Sequence, residues 1–150
     1  MSEAIEYLKH DDEAVINHMS MYQEIISRMA GNSAAIKSWG IPFITAVMAF
    51  AVTEKAYSLL WVLMGVVAML YLLDSYYLML EKRYRYGFIN DADLVSTKKF
   101  SMGNLFKLTP SGSAGDCFKA SMMSISTWPV YLTMLVGLLI SYFLLAESVT

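Results

Sequence analysis

Residues 56–80 read Ala56-Tyr57-Ser58-Leu59-Leu60-Trp61-Val62-Leu63-Met64-Gly65-Val66-Val67-Ala68-Met69-Leu70-Tyr71-Leu72-Leu73-Asp74-Ser75-Tyr76-Tyr77-Leu78-Met79-Leu80, and a single ionisable carboxylate, Asp74, interrupts the apolar run. A helix needs about 20 apolar residues to cross a hydrocarbon core roughly 30 Å thick, so this stretch is read as a membrane-spanning helix. It ends in Glu81-Lys82-Arg83-Tyr84-Arg85-Tyr86-Gly87. Tyrosines 71, 76, 77, 84 and 86 gather toward that end, as an aromatic belt at the headgroups does. The helix is expected to continue into water until Gly87 caps it.

Upstream, residues 38–52 carry no charge, and with residues 34–37 they make a first span over 34–52. Lys37 and Trp39 suit an interface at its start, and Pro42 is expected to bend it near Gly40. Thr53-Glu54-Lys55 then forms a tight turn, so the two spans make a helical hairpin. Before them Val15, Met19, Tyr22, Ile26 and Met29 recur at helical spacing, which predicts an amphipathic helix within a water-side segment 1–33. Asp11, Asp12 and Glu13 favour its start through the helix dipole. Gly31-Asn32 is a possible interruption, while the same repeat extended reaches Ser33 and Ile36, so a broken and a continuous helix both fit.

Downstream, residues 88–120 have a loop composition, with two short strands expected near Leu94–Val95 and Leu105–Leu108. Asp116 is placed to cap a following helix, and Thr127 to Ala146 forms a third span with Trp128 and Pro129 at its start. The expected fold is one all-α membrane domain: an amphipathic N-terminal helix (1–33), a transmembrane hairpin (34–52 and 56–80), a water-side segment (81–126) and a third transmembrane helix (127–146). Lys55 is the only basic residue in the hairpin turn, whereas the other ten lie on the opposite side. By the positive-inside rule the N-terminus and residues 81–126 are expected to be cytoplasmic, and the C-terminal tail from Glu147 to lie outside. The opening Met1-Ser2-Glu3-Ala4-Ile5-Glu6 lacks the basic region and apolar core of a secretory signal, so the first apolar run is expected to stay in the mature chain.

Hydrophobic residues make up 57% and charged residues 16%, against about 45–50% and about 25% in soluble domains, which fits a bilayer as solvent. With a net charge of −2 and no basic stripe, nucleic acid is not an expected partner. Cys117 is the sole cysteine and cannot form an internal disulfide; zinc-type Cys/His spacings are absent from the sequence. The histidines, His10 and His18, precede the first span and read as a solvated helix start, and the glycines form no phosphate cradle. No catalytic constellation, metal or cofactor is therefore expected, and the chain reads as a non-enzyme.

Asp74, with Tyr71 and Tyr77 nearby, is the candidate intramembrane polar site: either a permeation residue or a structural partner of Arg83, Tyr71 or Tyr77 at the headgroups. Gly65 with Ala68, and Gly137 with Ser141, are candidate helix-packing positions, since small residues let helices approach in lipid. Three helices bury little of a polar path, so conduction requires a homo-oligomer.

The segments Ser27–Trp39 and Leu72–Arg85 resemble the SLATT-like helical-hairpin membrane proteins of bacterial antiphage defence neighbourhoods, often encoded beside TIR-like proteins. The resemblance covers about residues 13–86. It implies an effector that disturbs the membrane when a cytosolic protein or nucleotide signal reaches it. It also implies a coupling face formed by Arg28, Lys37 and Trp39 together with Lys82, Arg83 and Arg85. The competing expectation is a non-conducting anchor for a cytosolic partner, and a small transporter is disfavoured because no span carries a broken, multi-polar midplane.

Overall fold

The structure is a computed structural model that describes residues 8–9 and 12–147. His10, Asp11 and the tail beyond Glu147 lie outside the described residues, and with them part of the expected acidic helix start. Four α-helices follow in order: α1 (Glu13–Thr53), α2 (Tyr57–Ser96), α3 (Ala114–Met122) and α4 (Trp128–Glu147). A short 3-10 turn, Met102–Asn104, interrupts the connection between α2 and α3.

The amphipathic segment and the first span are one helix. α1 runs unbroken through Gly31, Asn32 and Pro42. At a rise of 1.5 Å per residue, α1 and α2 are each about 60 Å long, twice the thickness of a hydrocarbon core. α4, at about 30 Å, matches one such thickness. Three helices, α1, α2 and α4, are long and apolar enough to cross a membrane.

The apolar band is where these three meet. Ile44 and Ala51 of α1, Leu60, Leu63 and Val67 of α2, and Tyr131, Leu138 and Leu145 of α4 form the buried cluster. Large apolar side chains point the other way around the same band: Phe43, Phe50, Trp61, Met69, Phe143 and Leu144 are all more than half exposed. Such a surface is costly in water and natural against lipid tails. The Tyr57 hydroxyl donates to the Leu145 carbonyl at 2.6 Å, tying the hairpin turn to the end of α4. Lys55 takes a positive φ of 52° in that turn.

The other half of the hairpin extends past the apolar band. There α2 continues through Gly87 to Ser96, so Gly87 is not a cap. Its role is close approach: a Cβ at Gly87 would lie 2.5 Å from the Thr109 carbonyl oxygen and 3.1 Å from the Tyr22 ring. Leu94 and Val95, expected in a strand, belong to α2, and residues 105–108 form no strand. The long helix wins because Phe88, Asp91 and Val95 keep the helical repeat that faces α1. The segment after α2 folds back along the hairpin instead of pairing with itself. Phe100 is buried, the Thr109 amide donates to the Tyr22 hydroxyl at 3.2 Å, and the Ser111 amide donates to the Arg83 carbonyl at 3.0 Å. At α3 the cap is Ser113, whose hydroxyl accepts from the Asp116 amide at 3.4 Å; Asp116 itself sits in the first turn, where the helix dipole favours an acid.

Gly87→Ala places a methyl against a backbone carbonyl that cannot rotate away. The expected outcome is a loss of about 1–3 kcal/mol, as for other overpacked sites. Thermal unfolding in detergent checks it, with earlier proteolysis in residues 97–113 as the accompanying sign.

Candidate functional site

Asp74 is fully buried, and the three long apolar helices converge on it. α1 brings Lys37 and Ser33, one helical turn apart on the same face. Lys37 Nζ lies 2.8 Å from Asp74 Oδ1, to which it donates, and 2.7 Å from Oδ2, which it meets as an ion pair only. Nζ also donates to Ser33 Oγ at 3.0 Å, and Ser33 Oγ donates to Asp74 Oδ1 at 2.5 Å. From α4, the Tyr131 hydroxyl faces the same carboxylate without a hydrogen bond of ordinary geometry. The Tyr131 ring packs on Tyr71 at 5.4 Å between centroids, and the Tyr71 hydroxyl donates to the Met122 carbonyl at 3.0 Å.

Lys37 was expected as an interfacial anchor and Asp74 as a partner of Arg83, Tyr71 or Tyr77; the structure pairs the two with each other. Continuity of α1 makes this possible, since it carries the Ser33–Lys37 face across the boundary at the height of Asp74. The pair lies where α4 begins, at the edge of the apolar band facing the long extension of the hairpin. The Lys37 side chain is 18% exposed, so its charge is largely removed from water. Two desolvated charges are held there by each other and by the Ser33 hydroxyl, which makes removal of either one expensive.

The other sequence-selected residues are spread along the hairpin. Tyr77 meets Tyr76 edge-on at 5.9 Å between centroids, and Trp39 is 81% exposed beside the band. Arg28 is exposed on α1. Lys82 donates to the Ala120 carbonyl at 2.9 Å and Arg83 to the Pro110 carbonyl at 3.4 Å, so both fasten the returning segment and α3 to α2. Arg85 pairs with Glu81 on its own helix at 2.8 Å. Gly65 and Gly137 have open space where a Cβ would stand, Ala68 is exposed, and the Ser141 hydroxyl donates to the Gly137 carbonyl of its own helix at 2.9 Å. Between α1 and α2 near the apolar band the close approach falls at Gly40, where a Cβ would stand 3.0 Å from Leu70.

A second buried polar group sits near the far end of the hairpin. His18 is 1% exposed, not solvated as its place near the N-terminus suggested. Its Nδ1 lies 2.9 Å from the Leu105 carbonyl oxygen and its Nε2 2.9 Å from Asp91 Oδ2. Tyr22 packs edge-on to this ring at 5.3 Å. Burial, and then the Asp91 carboxylate, pushes the Tyr22 phenol above its ordinary range, so it stays neutral and bonds Thr109 from both sides. Sequence reasoning missed Ser33, Tyr131, Gly40, His18 and Asp91. For His18 the signal was present: it lies between Val15 and Tyr22 on the apolar stripe of α1.

Comparison of the chain with protein-family models, with curated proteins and with solved structures finds no match.

Lys37→Met leaves a buried carboxylate without its cation, and the expected cost is about 3–5 kcal/mol. The double variant Lys37→Met/Asp74→Leu removes both charges and is expected to regain most of that loss. Denaturant unfolding of the two variants in one detergent reads the difference.

Proposed function

We propose that this chain is an effector of the bacterial cytoplasmic membrane in antiphage defence, in which several copies permeabilise the bilayer when a signal reaches the long extension of the hairpin. The observation that carries this reading is the Lys37–Asp74 pair: a charged cross-brace between two continuous helices, placed where their extended half joins their apolar half. Rigid helices transmit a displacement of one end to the other, and the brace is the point at which tilting or sliding exposes polar groups to the bilayer interior. A buried pair of this kind contributes little net stability compared with apolar packing, so its presence fits a switch better than a staple. Exposed charge inside a bilayer is expensive unless water follows it, and several copies around an axis would give that water a path.

In this reading the extension, residues 97–126 and α3 face the cytoplasm, and the Lys55 turn and the end of α4 face outward. The support is the ten-to-one division of basic residues. The likeness of Ser27–Trp39 and Leu72–Arg85 to SLATT-like proteins supports the defence role. The signal is a cytosolic protein or a nucleotide, with no cofactor and no catalysis by this chain. A second reading, a non-conducting anchor for a cytosolic protein, is favoured by an apolar groove along the extended half of the hairpin.

Membrane potential in cells expressing the protein at controlled levels, with and without phage challenge, tests the two. Wild type is expected to depolarise on challenge, and Lys37→Met/Asp74→Leu to stay polarised at equal expression and equal native oligomer mass. An intact potential in challenged wild-type cells, with a cytosolic partner co-purifying, would leave the anchor. Orientation is checked in a Cys117→Ser background. Lys55→Cys is expected to react with an impermeant maleimide in intact cells, and Lys107→Cys only after permeabilisation.

A further inference from the structure

Among the described residues, the extended half of the hairpin is covered on one face only. Residues 97–113 lie over the face bearing His18, Tyr22 and Gly87, through the Leu105 and Thr109 contacts. On the opposite face α1 and α2 border a hollow of about 750 Å³. Its walls are Ile16, Met19 and Gln23 of α1 and Phe88, Ala92 and Val95 of α2. Through Gln23 and Phe88 it opens into a second hollow of about 530 Å³ that ends at Arg85. Ile16, Met19, Gln23 and Ile26 are spaced 3, 4 and 3 residues apart, and Arg85, Phe88, Ala92 and Val95 likewise. That is the seam spacing of a helical bundle with one position vacant. The fourteen residues from Arg85 to Lys98 span about 20 Å, the length of three to four turns.

Charge marks the occupant. Lys9 and Lys98 stand together at the far mouth, and neither is ion-paired among the described residues. Arg85 stands at the other end, shared with Glu81. Lys98 adopts a positive φ of 57°, a conformation glycine takes more cheaply. A second copy of this chain fits poorly. Copies in one membrane share an orientation, so their symmetry axes run along the membrane normal and bring equal heights together, Lys98 and Lys9 against the same lysines. The groove also begins about 16 Å beyond the Asp74 level, out of reach of lipid tails.

We propose that this groove binds an amphipathic helix of a partner protein, with an apolar stripe at 3–4 spacing and acidic residues at both ends. The inference rests on the proposed orientation, which places the groove in the cytoplasm, and it specifies the input to that site. The partner helix lies between α1 and α2 and completes a three-helix bundle on the face that residues 97–113 leave open.

The test uses the full chain in zwitterionic lipid nanodiscs, with empty nanodiscs as the blank. Two fluorescent helical peptides of about 18 residues serve as probes, identical in their Leu/Ala stripe and carrying Glu or Lys at both ends. The Glu-ended peptide is expected to bind at least about tenfold tighter, with the preference declining in salt. Ala92→Trp, which fills the groove, is expected to abolish binding. Lys98→Gly relieves the left-handed backbone while removing the charge, so weakened binding by this variant is not misfolding. Equal binding of the two peptides, no binding, or binding indifferent to Ala92→Trp overturns the proposal. If challenged cells depolarise equally with wild type and Ala92→Trp, the groove fails while the effector reading stands.

Discussion

A charge with no water around it must find an opposite charge or not exist, and this constraint organises the middle of the molecule. Asp74 has no exposure at all, and the ammonium that answers it comes from a different helix. To deliver Lys37 there, α1 must stay helical through the boundary, hold Ser33 one turn before, and approach α2 closely at Gly40. α4 must bring Tyr131 to the same level, and Tyr71 then fixes the end of α3 through the Met122 carbonyl. Elements from both sides of the boundary are thus referred to one carboxylate.

Within the apolar band, burial of aliphatic side chains supplies no large driving force, because lipid tails are as apolar as the side chains they replace. Shape and a few polar ties decide the packing there. The Tyr57–Leu145 bond closes one end and the Lys37–Asp74 pair the other, and Leu60, Leu63, Val67 and Leu138 fill the space between. The extension obeys different physics. It sits outside the apolar band, so Val15, Tyr22 and Phe100 are held by burial, while His18 and Asp91 satisfy each other in the same core.

The three long apolar helices and the hairpin turn were legible because fitness to cross a membrane is a property of local composition: long runs with few charges bounded by aromatic and basic residues. The length of the hairpin was not. Gly31-Asn32 and Gly87 read as punctuation, since glycine ends helices in water, yet at Gly87 the missing Cβ serves contact with Thr109 and Tyr22. Local sequence does not announce which backbone will come that close. Asp74 was singled out from its isolation alone. Its partner was hidden because a lysine at the start of a span is equally at home pointing to the headgroups, and only the register between α1 and α2 distinguishes the two. Residues 105–108 look strand-like by side-chain type, but the Leu105 carbonyl meets His18 of α1 and the Leu105 and Lys107 amides close turns onto Met102 and Asn104, so these groups are not available to a sheet.

The brace does not sit at an end of α1. About 24 residues lie on its extended side and about 16 on its apolar side. If α1 and α2 tilt as stiff rods about that point, the hairpin turn at Lys55 swings in the opposite sense with about two thirds of the amplitude of the far tip. A third helix wedged between the tips is then mechanically a crowbar with a reduction gear. It trades distance for force, and delivers that force to the hairpin turn at Lys55, the region farthest from where the wedge is inserted.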